Sequence, residues 1–171
     1  MIPIQTPTDN DSTPSSAPNH GIDLSRAECL ETTTLIQRPL AEVFEFFSSA
    51  ENLEKITPPS LHFKILSPLP IEMREGARID YKIRIHGIPV TWKTVILAWE
   101  PPLQFVDMQI KGPYQIWHHR HTFEETDEGV LMRDIVHFRS PLHAVMSPLY
   151  IRKEVARIFA HREKMLHEHF A

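Results

Sequence analysis

The chain has 171 residues, 42% of them apolar and 23% charged, with a formal net charge of −4. That length suits one domain with a substantial core, and without a Lys/Arg run the charge gives no footprint of a nucleic-acid-binding protein. A single cysteine, Cys29, excludes an internal disulfide or a multi-cysteine zinc site, while the absence of a long apolar run or a basic-then-apolar start predicts a cytoplasmic protein without stable membrane insertion.

Residues 1–24 are rich in Pro, Ser, Thr, Asn and Asp, and read as a disordered arm before one domain over 25–171. Ala27 to Ile36 is the first expected strand, and Cys29 within it reads as an inert strand residue. Pro39 suits the first turn of a short helix that places Leu40, Val43, Phe44 and Phe47 on one face. A second short helix covers Ala50 to Lys55 and ends at Thr57-Pro58-Pro59. Leu61, Phe63 and Ile65 then alternate with His62, Lys64 and Leu66 as strand two.

Strand three alternates most clearly: Ala77, Ile79, Tyr81, Ile83 and Ile85 on one face, charged residues and His86 on the other. A two-residue turn at His86-Gly87 pairs Ile85 with Ile88, Ile83 with Val90 and Tyr81 with Trp92. Val90, Trp92, Thr94, Ile96 and Ala98 are thereby expected to face inward on strand four. Leu103 to Ile110, Tyr114 to Glu125 and Val130 to Arg139 follow as strands five to seven. Ser147-Pro148 opens a last helix of about 23 residues, roughly 35 Å long. Its apolar stripe runs Ile151, Val155, Ile158, Phe159, Arg162, Met165, Leu166, Phe170. His161, His167 and His169 read as solvated.

The predicted fold is α+β: a helix-grip arrangement of about seven curved antiparallel strands wrapped on a long C-terminal helix, with two short helices after strand one. Within it, Trp117-His118-His119-Arg120-His121-Thr122-Phe123 stands out. On a strand, Trp117, His119, His121 and Phe123 share one face. A loop centred on Asp127-Glu128 sets Trp117 opposite Phe138, His119 opposite Val136, His121 opposite Asp134 and Phe123 opposite Met132. A bulge at Gly129 would shift this register by one. Directly opposed Cβ atoms lie about 4.5–5.5 Å apart, so Asp134 would reach His121 and satisfy its own burial. Asp107 faces Trp117 if the Gly112 loop has three residues and faces outward if it has two. Arg162 either pairs with an inward acid or snorkels.

Trp92 and Trp99, Phe105-Val106-Asp107-Met108-Gln109, Gly112-Pro113-Tyr114, Trp117-x-His119-x-His121-x-Phe123, Asp134, Pro141 and Phe159-x-x-Arg162 together resemble the START-like superfamily. It is also called SRPBCC or the polyketide cyclase/dehydrase-like group. More narrowly, they resemble bacterial ligand-binding SRPBCC proteins of unassigned substrate. The resemblance covers about residues 25 to 170. It implies the helix-grip fold and an internal pocket for an apolar or amphipathic small molecule, lipid- or polyketide-like. It implies no single chemistry, since the superfamily includes carriers, sensors, cyclases and hydrolase activators. Leu142-His143-Ala144-Val145-Met146 departs from the glycines frequent there in the superfamily.

The expected pocket has Ile79, Tyr81, Ile83, Trp92, Ile96, Trp117 and Phe138 as its apolar wall and His119, His121 and Asp134 as its polar end. Asp107, Phe123, Phe159 and Arg162 join it as candidates. Three readings of the polar end stay open: a satisfied buried hydrogen-bond network, the polar end of a binding pocket, and a metal or acid–base site with Asp134 as third ligand. At the level of the protein these become a binding protein, a cyclase, dehydratase or isomerase using His121, Asp134 and His119, or a filled-core interaction module. No cofactor and no bound metal is expected.

Overall fold

In the computed structural model, residues 21–141 and 147–171 are described. Strand β1 (Glu28–Ile36) leads into α1 (Leu40–Phe47) and two 3₁₀ turns (Ala50–Leu53 and Pro59–Leu61). Then come β2 (Lys64–Ile65), β3 (Arg78–Ile85), β4 (Ile88–Glu100), β5 (Gln104–Lys111), β6 (Ile116–Thr126), β7 (Gly129–Arg139) and α2 (Pro148–His169). The strands form one antiparallel sheet in the order β1-β7-β6-β5-β4-β3-β2. This is the α+β architecture expected from the sequence. Residues 1–20 of the expected arm over 1–24 and the Leu142–Met146 departure fall outside the described residues.

Local chemistry explains the element ends. Pro39 caps α1 in an extended conformation, and Val43, Phe44, Phe46 and Phe47 are buried beneath it. At His86-Gly87 both residues take positive φ, 50° and 81°, which matches the right-handed twist of the flanking strands. The β3–β4 register is accordingly the predicted one, with Tyr81 opposite Trp92. Strand two shrinks to Lys64–Ile65. A 3₁₀ turn holds Pro59–Leu61, and His62 sits in the left-handed region at φ 44°; a strand cannot run through either. Ser147 stands at the N-cap of α2 with no side-chain cap bond; its carbonyl accepts from the Tyr150 and Ile151 N–H groups instead.

A second difference lies in β4. Ile96 pairs with Asp107 but Ala98 pairs with Val106, so Leu97 is an extra residue. That bulge reverses the side-chain parity beyond it. Trp99, not the expected Ala98, turns inward and packs 5.3 Å from Phe44 and 5.5 Å from Phe105.

The β6–β7 hairpin holds the predicted register without a slip: Trp117 opposite Phe138, His119 opposite Val136, His121 opposite Asp134, Phe123 opposite Met132. Gly129 takes φ 131°, and a Cβ there would lie 2.3 Å from the Ile36 carbonyl oxygen. Only glycine lets the turn pass this close to the end of β1. Gly129→Ala is therefore expected to destabilise the protein by about 1–3 kcal/mol. Urea unfolding checks this, and unchanged stability would contradict the assignment.

Candidate functional site

Three strands and one helix bring five polar side chains together. Asp107 on β5 lies directly opposite His119 on β6. This is the inward face expected for a three-residue loop, not the outward face of a two-residue one, but it lies two residues beyond the expected Trp117 pairing. The physical reason is at Gly112. The β5–β6 ladder stops at Met108–His118, and the Gln109 side chain takes over the link. Its Nε2 donates to the Tyr114 carbonyl at 2.5 Å, and its Oε1 accepts from the Tyr114 N–H at 3.2 Å. A Cβ on Gly112 would sit 2.3 Å from that Oε1.

The expected His121–Asp134 contact is present, with Nδ1 2.8 Å from Oδ1. It is one of several. His119 Nε2 also reaches Asp134 Oδ1, at 2.9 Å. His121 Nε2 lies 3.0 Å from Asp107 Oδ2, and His119 Nδ1 lies 3.6 Å from the same oxygen. Each carboxylate thus meets one imidazole straight across the ladder and the other along the diagonal. Arg162 of α2 closes the set. Its Nε is 3.3 Å from Asp134 Oδ2, and its Nη2 is 3.3 Å from His121 Nδ1. It pairs with an inward acid and does not snorkel.

The surroundings are dry. His119, His121 and Asp134 are 4%, 3% and 4% exposed. Phe105 stacks on His121 at 4.0 Å, Phe159 stands edge-on to His119 at 5.3 Å, and Arg162 lies over the Phe47 ring at 5.3 Å. Burial disfavours ionised Asp134, but Arg162 and the His119 and His121 hydrogen bonds outweigh it and hold its carboxyl well below the usual range. Asp107 is likewise lowered: burial opposes ionisation, and the His121 hydrogen bond with the charges of His119, His121 and Arg162 overcomes it. Burial, then repulsion from His121, pushes His119 down to about 4 despite both acids.

Between the sheet and α2 lies an internal cavity of about 220 Å³. The expected wall residues Ile79, Tyr81, Ile83, Trp92, Ile96, Trp117 and Phe159 line it, together with Asp107, His119, His121 and Arg162. Phe123, Asp134 and Phe138 do not reach it. Phe123 packs in the aromatic core beside Phe44 and Phe47, Phe138 is fully buried beside Trp117 and Tyr114, and Asp134 sits behind the two imidazoles. Leu53, Ile56, Phe63, Tyr114, Glu154 and Ile158 also line the cavity and were not among the expected pocket residues. Ile158 lay on the helical stripe and Phe63 on an alternating segment; the others had no periodic signal. Exposed His86 and half-buried Glu154 belong to the same wall. Tyr81 stacks on Trp92 at 5.7 Å and Trp92 meets Trp117 edge-on at 5.2 Å. Trp92 Nε1 is buried with no hydrogen-bond partner among the described residues. Cys29 is exposed on β1, away from this wall.

This combination of curved sheet, long helix and internal cavity defines the helix-grip fold. Comparison with solved structures shows the same. Protein CV1439 from Chromobacterium violaceum superposes with a TM-score of 0.67 at 12% identity, over 83% of this chain and 96% of that one. A START superfamily protein from Mycobacterium smegmatis gives 0.65 at 13% identity, over 83% and 96%. Ginseng major latex-like protein 151 from Panax ginseng gives 0.63 at 14%, over 85% and 98%. No protein-family model matches the chain, and no curated protein matches it in sequence.

Two predictions follow from the cluster's electrostatics. Arg162→Leu leaves Asp134 buried without its cation, which is expected to cost about 3–5 kcal/mol; a loss below about 1 kcal/mol in urea unfolding would contradict the pairing. His119, free at 6.5 in the unfolded chain and about 4 when folded, binds a proton more readily unfolded. Its contribution is complete above 6.5 and is lost as pH falls toward 4, with a slope of at most about 1.4 kcal/mol per pH unit. Asp107 and Asp134 shift downward, so their contribution is lost at lower pH still, below the ordinary carboxylate value of 3.8. An NMR titration of metal-free protein should show the His119 ring neutral down to about pH 4, and protonation near 6.5 would overturn this account.

Proposed function

We propose that the protein binds a hydrophobic or amphipathic small molecule, lipid- or polyketide-like, in the cavity between sheet and α2. The observation that carries this reading is the cavity itself: about 220 Å³ with aromatic and aliphatic walls and one convergent polar end. An apolar cavity of about 150 Å³ already takes up benzene, and ligand sites are characteristically apolar with a few placed polar groups. The unpartnered Trp92 N–H offers a further donor to a ligand acceptor. Among the described residues no helix is long and apolar enough to cross a membrane, and the lone cysteine fits work in a reducing compartment such as the cytoplasm. Ile79, Tyr81, Ile83, Trp92, Ile96, Trp117 and Phe159 would hold the apolar body. Asp107, His119, His121 and Arg162 would receive the polar end.

The filled-core interaction module loses its ground, because the core is not filled. Acid–base catalysis at His121 has a His–Asp contact of 2.8 Å in its favour, and no observation that favours turnover over binding.

Anilinonaphthalene sulfonate reports the cavity directly. Saturable binding at one site per chain is expected. Ile158→Trp, which fills the space from the helix side, should weaken it at least tenfold while thermal unfolding stays cooperative. Absence of saturable binding, or equal binding by Ile158→Trp, would contradict the proposal.

A further inference from the structure

His121 sets an unusual condition. Both of its ring nitrogens lie within 3.0 Å of carboxylate oxygens, Nδ1 at Asp134 and Nε2 at Asp107. A neutral imidazole has only one N–H. When the ring N–H is on Nε2, the Arg162 guanidinium, 3.3 Å from Nδ1, serves the other nitrogen; when it is on Nδ1, the Nε2 lone pair faces Asp107 and is served by a second proton on the ring or by a metal ion. His119 repeats the pattern. Its Nε2 faces Asp134 at 2.9 Å, which leaves its Nδ1 lone pair directed toward Asp107 Oδ2 at 3.6 Å. A single proton between Asp107 and one imidazole serves one of these approaches. One metal ion serves both.

We propose that Asp107, His119 and His121 form a binding site for one divalent first-row transition-metal ion, with Asp134 as the outer carboxylate that orients both imidazoles. One donor atom from each of the three residues lies within 4.8 Å of the other two. The two edges running to Asp107 measure 3.0 and 3.6 Å. A tetrahedral ion with bonds of about 2.0–2.2 Å needs donor–donor edges of about 3.3–3.6 Å, so these two edges need to change by only a few tenths of an ångström. Asp134 supplies what ligating imidazoles require behind them. Its Oδ1 meets the far nitrogen of each ring, at 2.9 and 2.8 Å, so both would present their remaining lone pairs toward Asp107. Arg162 in turn holds the other oxygen of Asp134. The three ligating residues line the cavity and Asp134 does not. The fourth position would thus open toward the apolar wall.

The charge of the site names the ligand class. Asp107 and Asp134 against Arg162 leave one net negative charge, which a divalent ion converts to one positive charge. The open position would then favour an anionic oxygen donor, a carboxylate or an enolate, on the polar end of the cavity ligand. This last step rests on the ligand-binding reading above. The metal site does not, because the ion can bind with the cavity otherwise empty.

Metal-stripped protein carrying His167→Ala and His169→Ala, which removes exposed imidazoles at the end of α2, is titrated with Zn²⁺ by calorimetry and with Co²⁺ by visible absorption. One ion per chain is expected, with Asp107→Asn and His119→Ala each weakening it at least 100-fold. Asp134→Asn should weaken it by about 10- to 100-fold, the usual effect of losing an outer carboxylate. Should the His119 variant fail to fold, Co²⁺ bound to protein with all three ligands intact must broaden or shift the NMR signals of Trp117 and Phe159. No stoichiometric binding, affinity unchanged by Asp107→Asn, or paramagnetic effects confined to exposed residues of α2 would each overturn the proposal. Anilinonaphthalene sulfonate binding by the metal-free protein separates this failure from failure of the cavity reading.

Discussion

The interior depends on holding one buried and one half-buried carboxylate, Asp134 and Asp107, beside two imidazoles and one guanidinium. An isolated charge in such a place costs several kcal/mol. The cluster is tolerable only because β5, β6, β7 and α2 each deliver a partner to the same spot. Asp107, His119, His121 and Asp134 must share one face across three strands, and a one-residue slip in either ladder would send a partner to the other side. The features that fix register therefore serve the cluster. Gly129 admits the β6–β7 turn against β1, and the Gln109 side chain closes the β5–β6 connection over Gly112. Arg162 ties α2 to the sheet through Asp134.

The cluster also divides the space under the sheet. On one side, Phe44, Phe47, Phe105 and Phe123 fill a core with Met132, Val130 and Leu166. His121 presses its ring on Phe105 there. On the other side, Tyr81, Trp92, Trp117 and Phe159 surround space that no side chain of the described residues occupies. The curvature of a long sheet around one helix leaves that space, and the polar cluster gives it a floor. Apolar walls ending on acids and imidazoles suit an amphipathic molecule better than a purely hydrocarbon one.

Much of this was legible in the sequence where tight turns and strict alternation coincide. The two-residue turns at His86-Gly87 and Asp127-Glu128 gave both hairpin registers, and with them the opposition of His121 and Asp134. The stripe on α2 carried Arg162 to the cluster. What stayed hidden has physical causes. The Leu97 bulge has no glycine or proline to mark it, so the inward turn of Trp99 was lost. The β5–β6 connection is closed by a side chain, so loop length alone could not place Asp107. Diagonal contacts along a ladder depend on side-chain reach, which is why His119 with Asp134 and His121 with Asp107 were not foreseen. Phe123 and Phe138 share the inward face with the cavity residues, yet only depth in the sheet separates core from wall.

The central claim is that a ligand can reach the polar floor through the apolar cavity. A crystal structure of the protein with 2-naphthol tests it most directly. The account predicts the naphthyl rings between Trp92, Trp117 and Ile158, with the hydroxyl within hydrogen-bond distance of Asp107 or His121. An empty cavity under saturating naphthol, or naphthol bound only at the outer surface, would contradict it.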